Sequence, residues 1–301
     1  LLQPGAAQTG RLKVIDIGIP AAVAEDVGCG QHLITTQSAR RLLRPRDPQA
    51  HKGTTGHLLV AAGKSGTTGA AAMTAMAALR AGAGLVTLGC TQGVQTLVAQ
   101  QTLEAMTVGL AETPLGGLAA EALPQLLDLA VGRKCLAVGP GIGTETETGA
   151  LLEGLVTQSP LPLVIDADGL NLLADRIDCL QKARVPIILT PHPGEMARLT
   201  GRPTPELQQN RVETARRFAA AHGVVLVLKG ARTLVATPDG QVWINLSGNS
   251  GMASGGMGDV LTGMIAGFAA QGYAPDVAAR LGVYLHGAAG DHLALRSGPQ
   301  G

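Results

Sequence analysis

Short apolar runs alternate with alanine-rich stretches of helical length from residue 57 to the end of the chain. Runs rich in leucine and β-branched residues predict strands at residues 57–62, 85–89, 135–138, 163–166, 186–190, 224–229, 233–236 and 242–245. Helices are predicted near residues 67–82, 116–130, 145–158, 205–222, 256–271 and 275–295. This alternation predicts an α/β fold in which helices cover both faces of a mostly parallel central sheet.

Two parts of the chain depart from this alternation of strands and helices. The last two predicted strands are joined through the turn sequence Pro238-Asp239-Gly240, so we expect them to form an antiparallel hairpin. Near the start, residues 1–35 hold one apolar run, from Val14 to Ile19. We expect residues 1–35 to be an appendage with its linker, and residues 36–298 to form the main domain.

Composition excludes several kinds of partner. The net charge is +1 and aromatic residues make up 2%, so the chain lacks the basic face and the stacking surface that bind nucleic acids. No apolar stretch is long enough to predict a membrane-spanning segment. The cysteines Cys29, Cys90, Cys135 and Cys179 are widely spaced, which favours buried reduced thiols over a zinc site or disulfides. These features predict a soluble, cytoplasmic protein that binds neither nucleic acid nor membrane.

The segment from Asn249 to Asp259 gives the clearest functional signal. It contains four glycines and is followed at once by a predicted apolar helix. Glycine lets backbone amides face a ligand, and a helix N-terminus adds partial positive charge, so such a turn binds anions. An acid in the first turn often only stabilises its helix, but that would not explain the glycines before it. We therefore predict an anion site beside a catalytic carboxylate, Asp259.

Loops after three other predicted strands carry polar side chains toward one edge of the sheet. Lys229 ends a strand, and open α/β folds bind ligands in the crevice at the carboxyl ends of their strands. An exposed hairpin charge is an equally good interpretation of this lysine. His192 and Glu195 lie in a loop stiffened by prolines, although a single loop histidine is more often an ordinary one. Asp166 also ends a strand, while Asp168 is explained equally well as a helix cap.

Two other glycine-containing turns fail as phosphate-binding motifs. Gly63-Lys64-Ser65 is not a P-loop, because Leu58 stands where the motif needs its first glycine. Residues 139–143 do not make a dinucleotide fingerprint, because Thr144 takes the third glycine position and Pro140 lacks an amide donor. We expect a tight strand-to-helix turn there, with backbone that can approach a ligand.

Taken in order over residues 36–295, these segments resemble the ADP/ATP-dependent NAD(P)H-hydrate dehydratases of the ribokinase-like superfamily. The most specific match is residues 248–263. The remaining matches are His51-Lys52-Gly53, residues 69–86, 139–143, 166–172 and 190–195, Lys229-Gly230-Ala231 and Tyr284-Leu285-His286-Gly287. The resemblance implies a ribokinase-like three-layer α/β fold. Residues 11–20 also resemble the last strand of the NAD(P)H-hydrate epimerase domain, so residues 1–35 are expected to be a remnant of that domain without epimerase activity.

The resemblance implies a carbon–oxygen lyase for nicotinamide nucleotide repair. Such enzymes dehydrate hydrated NADH or NADPH, with ADP or ATP as co-substrate and Mg²⁺ as cofactor. Asp259 is implied as the general base, and Ala70, Gly141, His192 and Asp259 as contacts of the hydrated dinucleotide. The residues implied to bind the adenine nucleotide are Lys229, Gly230, Ala231, Arg232, Thr233, Gly255, Gly256 and Gly258.

Several alternatives stay open at this level. A ribokinase-like kinase of a vitamin precursor or sugar shares the glycine-rich turn and the aspartate, although the His192 loop favours the dehydratase. A non-catalytic nucleotide sensor is a second alternative, but the intact Asp259 does not favour it. The choice between ADP and ATP, and between the NADH and NADPH forms, is undetermined. We expect a homo-oligomer, with a tetramer as the assembly.

Overall fold

A ten-stranded sheet runs through the protein in the computed structural model, which describes residues 5–10 and 13–298. The strands are β1 (Gln31–Ile34), β2 (His57–Ala61), β3 (Leu85–Thr91), β4 (Met106–Leu110), β5 (Cys135–Val138), β6 (Leu163–Ile165), β7 (Ile187–Leu189), β8 (Val225–Leu228), β9 (Leu234–Ala236) and β10 (Val242–Asn245). Their order is β1-β10-β9-β8-β7-β6-β5-β2-β3-β4. Only β9 runs antiparallel to its neighbours, which confirms the mostly parallel sheet and the predicted hairpin.

Helices cover both faces of this sheet. They are α1 (Ala21–Val27), α2 (Thr36–Leu42), α3 (Thr68–Arg80), α4 (Gln95–Gln101), α5 (Leu123–Ala130), α6 (Thr146–Gln158), α7 (Asp168–Ala174), α8 (Pro193–Thr200), α9 (Thr204–Gln209), α10 (Arg211–His222), α11 (Met257–Ala270) and α12 (Pro275–Ser297). No helix within the described ranges combines the length and the apolar character needed to cross a bilayer.

Two hydrophobic cores lie on the two faces. Neighbouring residues of a strand point to opposite faces of a sheet. Leu59 accordingly packs in the core formed with α5, α6, α8 and α10, whereas Leu58 and Val60 pack in the core formed with α3, α11 and α12. All three side chains are fully buried. The three-layer α/β architecture expected from the sequence is thus confirmed.

Some elements differ from the sequence predictions. The helix predicted at residues 205–222 is two helices, α9 and α10, because Asn210 leaves the helical region of backbone angles at φ −138° and ψ 58°. Strands β1 and β4 were not predicted. Both are edge strands whose sequences mix polar and apolar residues, so tertiary pairing rather than local pattern determines them.

The first residues of the chain are only partly as expected. Residues 13–20 contain no strand, and residues 11 and 12 lie outside the described ranges, so the strand implied by the resemblance is absent where the chain is described. The apolar side chains of Val14, Ile15, Ile17 and Ile19 are exposed. β1 pairs with β10, so the sheet begins upstream of residue 36. The origin of residues 1–35 as a remnant of another domain stays a prediction.

The cysteines are free thiols in three buried positions and one exposed position. Cys90, Cys135 and Cys179 are buried, and burial raises the pKa of Cys135 to about 12. These three agree with the sequence prediction of inert core thiols. Cys29 is exposed, so the prediction is wrong for that residue.

Candidate functional site

A cluster of buried charged side chains lies at the edge of the sheet where the parallel strands end. Asp166 follows β6, Glu195 lies in the first turn of α8 after β7, and Lys229 follows β8. The three loops converge because β6, β7 and β8 are neighbours in the sheet. The Nζ of Lys229 lies 2.7 Å from Oδ1 of Asp166 and 3.7 Å from Oε2 of Glu195. Lys229 is therefore a largely buried partner of two carboxylates and not an exposed hairpin charge.

Asp166 is held on both carboxylate oxygens. It is 1% exposed, and its Oδ2 accepts a 2.6 Å hydrogen bond from the hydroxyl of Thr262 in α11. The next residue, Ala167, has φ 51°, which costs about 1–3 kcal/mol for a residue with a side chain. Asp168 does not cap its own helix, since its carboxylate accepts the amide of Gly143 at 3.0 Å. The segment after β6 is thus a strained turn whose two carboxylates bind groups from other segments of the chain, namely Gly143, Lys229 and Thr262.

The charges in this cluster shift one another's pKa values. Burial alone lowers the pKa of Lys229, but the carboxylates of Asp166 and Glu195 outweigh burial, and the net pKa is raised. Lys229 is therefore a fixed cation. Burial raises the pKa of Glu195 to about 7, with a further contribution from Asp166, although Lys229 opposes the shift. Glu195 can consequently exchange a proton near neutral pH.

His192 and Glu195 form a reciprocal cap at the start of α8. The Nδ1 of His192 accepts hydrogen bonds from the amides of Gly194 (2.9 Å) and Glu195 (3.3 Å). In return, Oε2 of Glu195 accepts the amide of His192 at 2.7 Å. Burial lowers the pKa of His192, and Lys229 lowers it further, so the ring is neutral. Because Nδ1 is an acceptor, the proton of the neutral ring is on Nε2.

The N-terminus of α11 lies directly above Lys229. Gly256 caps this helix with φ 88°, a conformation that side chains disfavour. A Cβ at Gly258 would lie 3.3 Å from Nζ of Lys229 and 3.8 Å from Oδ2 of Asp166. Glycine therefore keeps the space between the ammonium and the free helix amides open. That space combines a fixed cation with a helix N-terminus, which suits a phosphate group.

Asp259 lies in the first turn of α11, beside this space. Burial raises the pKa of Asp259 to about 6, and the negative charges of Asp166 and Asp168 add to the shift, while Lys229 opposes it. A carboxylate with a pKa near 6 is deprotonated at pH 7 and more basic than an exposed one. This is the combination that a general base needs.

Two of the predicted substrate contacts, Ala70 and Gly141, lie at the start of α3 or are joined to it. The hydroxyl of Thr67 donates to the carbonyl of Gly141 at 3.0 Å, which joins the start of α3 to the turn after β5. The hydroxyl of Thr74 donates to the carbonyl of Ala70 at 2.9 Å and lies 3.3 Å from the carbonyl of Asp259. Since β5, β6, β7 and β8 are consecutive in the sheet, the turns that follow them, with Gly141, Asp166 and Lys229, lie along one edge of the sheet.

A cavity of about 620 Å³ lies next to Lys229. Of the predicted nucleotide contacts, Gly255 and Gly256 do not line this cavity and lie at the start of α11 instead. The remaining predicted contacts line it, namely Lys229, Gly230, Ala231, Arg232, Thr233 and Gly258. Further lining residues include Asn245, Ser247, Asn249, Met252, Val283, His286 and Gly287. A cavity of this size that combines apolar and polar walls fits a nucleoside group.

The turn after β5 depends on close packing at Gly139. Its φ is 128°, and a Cβ there would lie 1.9 Å from the carbonyl oxygen of Asp166. We expect Gly139→Ala to lower the free energy of unfolding by about 3 kcal/mol, because the clash and the backbone strain add. Urea unfolding measures this. Gly132→Ala is the matched control, since Gly132 has φ 78° with nothing within 4 Å, and we expect it to cost only about 1 kcal/mol. Equal losses would contradict the packing argument.

The sequence left several residues of this site without a role. Asp166 was noted as a carboxylate at the edge of the sheet, but its pairing with Lys229 depends on strand order, which no local pattern gives. Thr262 lies one turn after Asp259 and so could have been found from helical spacing. Nothing in the local sequence pointed to Arg211, a buried cation beside the Lys229 turn.

Comparisons with known proteins agree with this geometry. A family model described as NAD(P)H-hydrate dehydratase matches residues 58–301. The bifunctional NAD(P)H-hydrate repair enzyme Nnr of Moorella thermoacetica is 48% identical over 298 residues, which are 99% of this chain and 56% of that protein. The chain thus spans about half the length of the bifunctional relatives it matches.

Solved structures give the same result. The crystal structure of the Bacillus subtilis ADP/ATP-dependent NAD(P)H-hydrate dehydratase, co-crystallized with ATP/Mg²⁺, superposes with a TM-score of 0.75 at 33% identity and covers 88% of this chain and 90% of that one. A ribokinase-like superfamily protein from Enterococcus faecalis has a TM-score of 0.76 at 28% identity over 89% of both chains. The fold is therefore ribokinase-like, as expected.

Proposed function

Since this chain belongs to the NAD(P)H-hydrate dehydratase family, we propose that it is a carbon–oxygen lyase that dehydrates hydrated NADH or NADPH with ADP or ATP as co-substrate. The observation that supports this most is the position of Asp259 at the start of α11, next to Gly258, which lines the cavity beside Lys229. On α3, the hydroxyl of Thr74 lies within hydrogen-bond distance of the carbonyls of both Ala70 and Asp259. A base between a nucleotide and a second ligand is what kinase-type phosphoryl transfer requires.

Hydroxide is a poor leaving group, so the ring hydroxyl is first converted into a phosphate ester. Asp259 takes the hydroxyl proton while the hydroxyl oxygen attacks the terminal phosphorus of ADP or ATP, which releases AMP or ADP. The carbon–oxygen bond then breaks, phosphate leaves with the bonding electron pair, and loss of a proton from the neighbouring ring carbon restores the double bond. The products are NADH or NADPH, phosphate and the shortened nucleotide.

Two fixed groups of the site stabilise the transferring phosphate. The ammonium of Lys229 and the free amides at the start of α11, around Gly258, both face the open space described above. Their positions do not change during the reaction, because Lys229 is held by Asp166 and the amides belong to a helix. Preorganised donors of this kind are usually the largest single contribution to catalysis.

The residues at the site fit Mg²⁺ held mainly by nucleotide phosphates. No group of three or more His, Cys, Asp or Glu side chains in the described ranges could enclose a metal ion. Mg²⁺ usually binds through phosphates and water with only one or two carboxylates. Because both oxygens of Asp166 are already bonded, to Lys229 and Thr262, the ion would be held by the nucleotide phosphates and water. When bound, the ion neutralises charge on the transferring phosphoryl group.

His192 is proposed to contact the hydrated dinucleotide together with Ala70 and Gly141. Its ring is half-exposed, and its Nε2 lies 3.4 Å from Oε1 of Glu195. We also propose a cytoplasmic location and a homo-oligomeric assembly. Neither nucleic acid nor membrane has a role in this reaction.

The proposal is tested by incubating the protein with hydrated NADH, Mg²⁺ and either ADP or ATP. The return of dihydronicotinamide absorbance, with release of one phosphate per NADH formed, is the expected result. Comparison of the two nucleotides also decides the co-substrate. Accumulation of a phosphorylated alcohol substrate, with no NADH formed, would instead support a ribokinase-like kinase.

The pKa of Asp259 predicts how activity depends on pH. The base must be deprotonated, and burial together with Asp166 raises its pKa to about 6. We therefore expect kcat/KM to fall about tenfold per pH unit below pH 6 and to level off above it, since kcat/KM reports the free enzyme. A pH series with the Glu195→Gln variant is the control, because Glu195 has a pKa of about 7. Loss of the acidic limb in that variant would assign the limb to Glu195.

A further inference from the structure

Arg211 is a buried arginine beside the nucleotide cavity that the proposed reaction does not use. It is 6% exposed and lies at the first residue of α10. No carboxylate in the described part of the chain forms an ion pair with it. Burial lowers the pKa of Arg211, but an arginine stays charged inside proteins. The protein therefore holds an unpaired cation in its interior.

This position is unfavourable for the helix itself. The N-terminus of a helix carries partial positive charge and is destabilised by a cation in its first turn. Burial of a charge without an ion partner adds a further cost. Neither local helix stability nor ion pairing therefore explains Arg211, so its role must depend on what its guanidinium contacts.

The guanidinium donates to the backbone of the turn between β8 and β9. Its Nη1 donates to the carbonyl of Ala231 at 2.7 Å, and its Nη2 lies 3.3 Å from the carbonyl of Lys229 and 3.4 Å from that of Leu228. Three carbonyls within four residues thus converge on one side chain. The same turn supplies Lys229 and Gly230 to the wall of the nucleotide cavity.

We propose that Arg211 is a positioning residue that holds this turn in the shape that binds the adenine nucleotide, an inference that rests on the proposed function. The rigid planar fork of arginine fixes several acceptors at once, which the single ammonium of a lysine does not. Its buried charge also favours an anion in the adjoining cavity, because charges interact strongly where water is excluded.

Arg216 provides a matched control in the same helix. It is part-buried, and its Nε donates to the carbonyl of Gly240 at 3.0 Å. That carbonyl lies in the turn between β9 and β10, at the opposite end of β9 from the nucleotide cavity. Arg216 thus also binds a hairpin carbonyl, but away from the cavity.

The experiment measures ADP affinity by titration calorimetry for the wild type, Arg211→Lys and Arg216→Lys, together with melting temperature and the KM for hydrated NADH. We expect Arg211→Lys to raise the dissociation constant for ADP about tenfold, with less than a twofold change in the KM for hydrated NADH. Arg216→Lys is expected to leave the affinity for ADP within about twofold of the wild type. Arg211→Met, which lacks the charge, should bind ADP more weakly than Arg211→Lys.

The other outcomes would contradict either the inference about Arg211 or the proposed function on which it rests. A folded Arg211→Lys that binds ADP as well as Arg216→Lys does would overturn the inference. Failure of Arg211→Lys to fold while Arg216→Lys folds would assign Arg211 to core stability and would also overturn it. A wild-type protein that binds neither ADP nor ATP would instead refute the proposed function.

Discussion

Asp259→Asn is expected to lower kcat about a thousandfold while the affinities for hydrated NADH and ADP change little. Asparagine has the same shape as aspartate and keeps the first turn of α11, but it cannot accept the hydroxyl proton. Single-turnover formation of NADH measures the chemical step, and titration with ADP measures binding. Turnover within about tenfold of the wild type would exclude Asp259 as the base.

The same variant is expected to lose activity but to gain stability. Because the pKa of Asp259 is raised from 3.8 to about 6 in the folded protein, its negative charge costs stability above pH 6, and the cost disappears as the pH falls toward 3.8. Asp259→Asn should therefore stabilise the protein at pH 8 by about 1 kcal/mol, after allowance for solvent screening. Melting temperatures at pH 8 and pH 4 measure this. Asp239→Asn, at the exposed turn before β10, is the control and should show no such gain.

The sequence predicted the sheet and the glycine-rich start of α11 because both depend on local pattern. The buried parallel strands are short runs of apolar residues, and such runs indicate buried strands without knowledge of the rest of the fold. Glycine at residue 256 is explained by the backbone that α11 needs at its start, and glycine at residue 258 by the room above Lys229. The residue types at these positions therefore predict the local structure without information from distant segments.

What the sequence did not predict depends on contacts between distant segments. Asp166 and Lys229 are 63 residues apart in the chain. They come together because their strands, β6 and β8, lie on either side of β7 in the sheet. Strand β4 is an edge strand that contains Gly109, and glycine is depleted in strands. Arg211 illustrates the same limit, since an arginine at a helix start gives no indication of burial. Contacts between distant segments follow from the order of the strands in the sheet, which the local periodicity of the sequence does not give.

Lys229→Met is expected to weaken ADP binding about a hundredfold and to lower the free energy of unfolding by about 3–5 kcal/mol. The binding loss follows from removal of the Lys229 ammonium, which faces the space below α11. The stability loss has a different cause, since Asp166 is 1% exposed and would be left charged without its partner. Titration with ADP and urea unfolding measure the two effects separately.

The double variant Lys229→Met/Asp166→Asn distinguishes a phosphate-binding lysine from a merely structural one. With both charges of the closest pair removed, only the longer contact of Lys229 with Glu195, at 3.7 Å, stays broken. We expect most of the lost stability to return, because neutral replacements of buried ion pairs are often tolerated. ADP affinity should not return, since the ammonium of Lys229 is still missing. Lys134→Met, at an exposed lysine, is the control for loss of charge alone. Recovery of both stability and ADP affinity in the double variant would show that Lys229 only neutralises Asp166, and the phosphate would then be bound by the amides of α11 alone.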